Sequence, residues 1–281
     1  MHVSVTWLLH HSVCFTCVVT KFIDSKTAFL HRNHEMKKYL LEMKGLDMLT
    51  DLLRRRSSPF YTSAVLGACN LARSLSITFP TTDKYKRVAM EASDADRSFT
   101  AADEDVTFMF DDGSWASAVR SVLVSSSDVF AAMLAGHYSE SNASMIRIPH
   151  VSPAAFRLLL RAAPMDRLPP PDVASCNPLP HDLLLELLAL ADRYLFVGLL
   201  HDVSEGIAAD LLDAATVAEI FDAATAHNAH WLASECIRFI LLSHSLALRV
   251  RCTTVAEIIA GQAATEFVGA MSSLLAAAIM M

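Results

Sequence analysis

Glycine is scarce, at 8 of 281 residues, and the glycines form neither G-x-G-x-x-G nor G-x-x-x-x-G-K-[ST]. The two common glycine-rich cradles for phosphate are therefore missing. Charge is thin as well: Asp, Glu, Lys and Arg make up 19% of the chain, with 23 basic residues against 30 acidic and a net charge of −7. A chain of that sign lacks the cationic surplus that neutralises phosphate, which argues against nucleic acid as a partner. There is no G-x-S-x-G elbow and no H-E-x-x-H, so the common hydrolase and zinc-protease signatures are absent too. Cysteines number six, Cys14, Cys17, Cys69, Cys176, Cys236 and Cys252. Most are widely spaced in apolar surroundings, as expected of thiols in a reducing compartment, cytoplasmic or nuclear.

Metal patterns stay incomplete. Cys14-x-x-Cys17 beside His10 and His11 is half of a zinc pattern, and no second C-x-x-C follows. His227-x-x-His230 offers two ligands one turn apart on a predicted helix, where a site needs three or four. We expect no metal, no cofactor and no enzymatic activity. Long apolar runs are also lacking. Phe267 to Met281 is uncharged for 15 residues, short of the ~20 that span a bilayer. A buried terminal helix is expected there, with a tail anchor as the alternative, and no membrane association otherwise. The apolar patches of the first 23 residues are broken by His10 and His11 and have no basic lead, unlike a secretory signal.

Apolar residues are plentiful, at 53%, enough for a substantial core and for about two domains of ~100–200 residues each. Residues 27–77 read as helices. Met36, Leu40, Leu41 and Met43 keep helical spacing with Gly45 as a stop; Leu46, Leu49, Leu52 and Leu53 repeat it, then Ala64, Val65, Ala68, Leu71 and Ala72. Small residues interleaved with leucines suit helices that stack as a solenoid, which normally needs about three or more repeats. Residues 78–104 are mixed in charge and read as a linker.

At Asp105 the period changes. Asp105 to Phe110 is β-rich, Asp111-Asp112-Gly113 is a hairpin turn, and Trp115 to Leu123 is a second strand candidate. Ser127 caps a helix through Phe130 and Leu134 that Gly136 ends. Met145 to Pro149 is a third strand, and Ser152-Pro153 opens a helix carrying Ala155, Phe156, Leu159 and Leu160 inward. Six of the ten prolines lie between Pro164 and Pro180, a density no packed element tolerates, so this is read as an extended loop. From Asp182 the chain is helical to its end, with Thr216-x-x-Glu219 and Thr254-x-x-Glu257 as capping boxes.

Several of these phrases, in this order, resemble a BTB/POZ domain. They are Asp105-Val106-Thr107-Phe108, Arg120 to Leu134, Tyr138-x-Glu140-Ser141, Ile146-Arg147-Ile148-Pro149-x-Val151-Ser152-Pro153-x-x-Phe156, and Leu190-Ala191-Asp192-Arg193-Tyr194-Leu195 with Gly198-Leu199. Gly45-Leu46-x-x-Leu49-x-x-Leu52-Leu53 and Ala64-Val65-x-x-Ala68-x-Asn70-Leu71-Ala72 are similar to one armadillo repeat. Val217-x-Glu219-Ile220-Phe221 and Cys236-Ile237-Arg238-Phe239-Ile240 look like the start of a BACK-type extension. The departures are Val119 for a usual His, Val203 for a usual Cys, and the proline-rich stretch in place of a Tyr-x-Tyr-Thr-Gly-like turn.

The resemblance implies an α+β chain: a partial armadillo repeat at 27–77, a linker at 78–104, a BTB/POZ domain at 105–204 with a Pro-rich insertion at 164–181, and BACK-like helices at 205–281. It implies binding rather than catalysis, as a substrate adaptor of a cullin-3 ubiquitin ligase. The cullin contact falls on Tyr138, Ser139 and Glu140, with the armadillo part holding a protein substrate. Asp105 and Arg120 match a charged pair near the BTB dimer interface, either a partner pocket or a structural pair that fixes strand register. Asn70 matches an asparagine that binds extended peptides, or is simply an exposed polar residue on a helix. A homodimer is compatible with all of this. The alternative is a BTB dimerisation scaffold that binds transcription factors or other signalling proteins without ligase activity.

Overall fold

The computed structural model describes residues 45–74, 105–169, 179–243 and 246–280. The readings of Cys14, Cys17, residues 27–44, the 78–104 linker and most of the proline-rich stretch lie outside these. The chain divides into two compact units. Among the described residues, one unit comprises 105–212 and 223–233. The other comprises 45–74, 213–222 and 234–280, so it is assembled from sequence-distant pieces.

In the first unit the polypeptide alternates and then turns. β1 (Asp105–Met109) pairs antiparallel with β2 (Trp115–Val119), Phe108 opposite Ala116. The connection closes with the Phe110 amide donating to the Ser114 carbonyl at 2.9 Å. Gly113 supplies the positive φ of 79° that the turn demands. β3 (Met145–Arg147) adds parallel to β1, giving the order β2-β1-β3. Period-two alternation sends Val106, Phe108, Ala116 and Ile146 inward, all buried.

The second strand ends earlier than the sequence suggested. Residues 120–123 belong to α1 (Arg120–Ser126), not to a strand through Leu123. Val119, Val122 and Leu123 are spaced by three and four, a helical interval, and only Leu123 of α1 is fully buried. Ser127 then serves two helices. Its backbone caps α1, and its hydroxyl accepts from the Val129 and Phe130 amides at the start of α2 (Asp128–Ala135). Ser152 does the same for α3 (Pro153–Ala162), with Pro153 at the first position. Glu186 of α4 (His181–Arg193) accepts from the Ser152 amide at 2.6 Å and its hydroxyl at 2.5 Å, tying the two helices.

Aromatic rings fill this core. Phe108 lies 5.0 Å from Phe156 and 6.2 Å from Phe130, which stacks on Tyr194 at 4.6 Å. Burying each such ring contributes roughly 1.5–3 kcal/mol. α5 (Val197–Asp210) begins on a clamp: Asp166, at φ 48°, accepts from the Gly198 and Leu199 amides at 2.8 and 3.0 Å. A Cβ at Gly198 would sit 2.3 Å from the Asp166 carbonyl oxygen, so glycine is required.

The second unit is helical. α6 (Gly45–Arg54) and α7 (Tyr61–Ser74) pack on each other; α6 also packs on α11 (Ala264–Met280), and α7 on α10 (Leu248–Ala260). Gly45 opens α6, and the helix it was expected to stop lies outside the described residues. Leu49, Leu53, Val65, Phe221, Phe267 and Leu275 are buried. Two further helices, α8 (Val217–Ala226) and α9 (His230–Leu242), each carry residues assigned to both units, and they separate at Asn228, which takes a left-handed φ of 53°. His227 and His230 are consequently not on one helix, and the expected one-turn pair is corrected. Arg251 is 3% exposed and donates to the Leu246, Ile240 and Ser243 carbonyls. Ile240 and Ser243 stand at the end of α9, where a helix leaves carbonyls unpaired. Thr254 and Glu257 lie mid-helix in α10 and form no capping box, because that helix starts six residues earlier.

Candidate functional site

Between α2 and β3 the chain makes a short exposed connection. Gly136 ends α2, with its amide on the Ala132 carbonyl, and Ser139–Asn142 form one 3-10 turn. Tyr138 precedes that turn and is 64% exposed. Tyrosine is enriched at binding hot spots, where its ring supplies apolar area and its hydroxyl a polar handle. Its carbonyl accepts from the Ser141 amide and hydroxyl, at 3.1 and 2.7 Å. Ser139 donates its hydroxyl to Glu140 at 2.8 Å. Glu140's own backbone amide and then that hydroxyl hold its carboxyl below the usual glutamate range, so it is an anion at neutral pH.

Arg120 approaches the same connection from β2's end. Its guanidinium donates to the carbonyls of Leu134 at 3.1 Å, Ser141 at 2.9 Å and Ala143 at 2.6 Å. The sequence reading placed Arg120 in a charged pair with Asp105. Asp105 opens β1 opposite Val119, and its side chain is outside the described residues. The structure therefore brings Arg120 to the Tyr138–Glu140 connection, a link that spacing in sequence did not indicate. Asn70 is half-buried on α7, in the helical unit.

A shallow groove of about 480 Å³ lies beside β2, lined by Ala116, Val119, Val122, Leu160, Arg157 and Arg161 among others. Arg157 donates to the Trp115 carbonyl at 3.0 Å. The sequence carried a weak signal for this face: two arginines four apart on α3. Among the described residues, no group of three or more His, Cys, Asp or Glu could hold a metal ion. No described helix is long and apolar enough to cross a membrane.

Comparison with known proteins matches residues 98–211 to the BTB/POZ domain family. Over 138 residues the chain is 35% identical to Armadillo BTB Arabidopsis protein 1 of Arabidopsis thaliana, covering 49% of this chain and 17% of that protein. It is 31% identical over 137 residues to Arm repeat protein interacting with ABF2, also of Arabidopsis thaliana, covering 49% and 18%. It is 30% identical over 149 residues to human Rho-related BTB domain-containing protein 1, covering 50% and 20%. The chain thus spans a fifth or less of the length of each of these relatives.

Proposed function

With residues 98–211 forming a BTB/POZ domain, we propose that this chain is a protein-interaction adaptor whose Tyr138–Glu140 connection docks the cullin-3 scaffold of a ubiquitin ligase. The observation that carries the reading is the 64% exposure of Tyr138 beside an ionised Glu140. An open aromatic ring fills an apolar pocket on a partner, and a fixed carboxylate next to it orients the contact. The helices at 45–74, with Asn70, represent the armadillo-like part that takes the protein substrate, and the helices after 205 serve as a BACK-like extension. The domain pairs with a second copy near Asp105 and Arg120.

A second reading is a dimerising scaffold without ligase activity. It is favoured by the relative described as interacting with ABF2.

Titration calorimetry of the full chain against the N-terminal region of cullin-3 tests the proposal. The unaltered chain binds, and Tyr138→Ala and Glu140→Arg each weaken binding about tenfold or more. No binding by the unaltered chain leaves the scaffold reading. Unchanged binding by both variants moves the contact elsewhere on the domain.

A further inference from the structure

The Tyr138–Glu140 connection is short of tethers. Among the described residues, the hydrogen bonds inside 136–143 are local: Gly136 to Ala132, Ser141 to Tyr138, Ala143 to Glu140 and Ser139 to Glu140. A segment held only by bonds of that kind opens at low cost. The bonds that reach it from another element come from one side chain, Arg120.

The three acceptors are not neighbours. Leu134 is in the last turn of α2, where a helix leaves carbonyls without intrahelical donors. Ser141 is in the 3-10 turn, and Ala143 is its C-cap. One planar guanidinium therefore fastens the connection before Tyr138 and after Glu140. Only arginine carries five donors in a rigid fork, and a lysine ammonium is a compact point that cannot span these positions. Arg120 is half-buried, so its bonds are sheltered from competing water, and bonds made by a charged donor are the stronger class.

We propose that Arg120 is the positioning residue of the recognition connection: it fixes both ends of 134–143 and so presents Tyr138 and Glu140 in one geometry to a partner. The partner rests on the cullin-3 reading; the stapling of the connection does not. Ordering the connection in advance reduces what association must spend on ordering it.

Hydrogen exchange read by mass spectrometry, with calorimetry on the same samples, tests this. In Arg120→Met the amides of Ser141 and Ala143 exchange about tenfold faster or more, while those of Val106 and Phe108 in β1 keep their protection. Loss of general stability would raise both sets together. Affinity for the cullin-3 N-terminal region falls in the order unaltered chain, Arg120→Lys, Arg120→Met. Unaltered exchange at Ser141 and Ala143 in a folded Arg120→Met chain overturns the proposal. Where Arg120→Met does not fold, Arg120→Lys decides: faster exchange at those two amides supports the staple, and exchange and affinity equal to the unaltered chain overturn it. Absence of cullin-3 binding by the unaltered chain sinks the functional reading alone, because the exchange comparison needs no partner.

Discussion

Asp111 shows how one exposed side chain can join two strands' ends. Its carboxylate accepts from the His150 amide at 2.8 Å and from the Arg147 guanidinium at 3.0 Å. The His150 amide first, then Arg147, hold its carboxyl below the ordinary aspartate value. A carboxyl whose folded pKa lies below its unfolded one stabilises the fold above the unfolded value. That contribution is withdrawn as pH falls through the folded value. We expect an NMR titration to place the Asp111 midpoint below that of an unstructured aspartate. In Asp111→Asn the acid limb of the stability profile should lose this component while neutral-pH folding persists. A midpoint at the ordinary value would show that the His150 and Arg147 bonds do not persist in solution. Glycine acts at the same scale in the opposite way: Gly198 matters for the atom it lacks, since the Asp166 carbonyl occupies the space of a Cβ.

Helix boundaries belong to the next scale, and Ser127 is the boundary that does most. Its hydroxyl accepts from two amides of α2 and donates to the Tyr194 carbonyl, past the end of α4, at 2.6 Å. Ser127→Ala removes the cap and leaves a buried carbonyl unpaired. We expect a loss of about 1–2 kcal/mol by urea unfolding, with an unchanged slope. A loss within a few tenths would mean that water replaces the hydroxyl. This cap, the Ser152-Pro153 start and the Gly113 turn were all legible, because each is a local rule acting on adjacent residues. What failed did so where a distant element overrides the local pattern. Thr254 and Glu257 satisfy the capping-box spacing, but Arg251, three residues earlier, lies inside α10 and bonds the Ile240 and Ser243 carbonyls at the end of α9. The Tyr138–Glu140 connection could be located from order in the chain. Its anchor on Arg120 could not, since nothing in sequence ties residue 120 to the carbonyls of 141 and 143.

At the scale of the molecule, the helical unit closes across nearly two hundred residues of intervening chain. The apolar stripes of α6 and α7 announce that they need cover, but a stripe does not name its partner, so the sequence alone left that question to further repeats. Here α10 and α11 supply it. The Tyr61 hydroxyl donates to the Cys252 carbonyl at 3.1 Å, and burial raises the phenol to about 12. Two short helices alone cannot bury enough surface to offset their ordering entropy. Ending the chain at residue 245 should therefore strip amide protection from 45–74 and return the Tyr61 phenol toward 10, as read by hydrogen exchange and ultraviolet titration. The β1 amides should remain protected, because the aromatic cluster of Phe108, Phe130, Phe156 and Tyr194 is built from residues of the sheet-bearing unit alone. Persistent protection of 45–74 in the shortened chain would show that α6 and α7 hold together without that cover, and the apolar face between Leu49 and Val65 would then have to be satisfied from elsewhere.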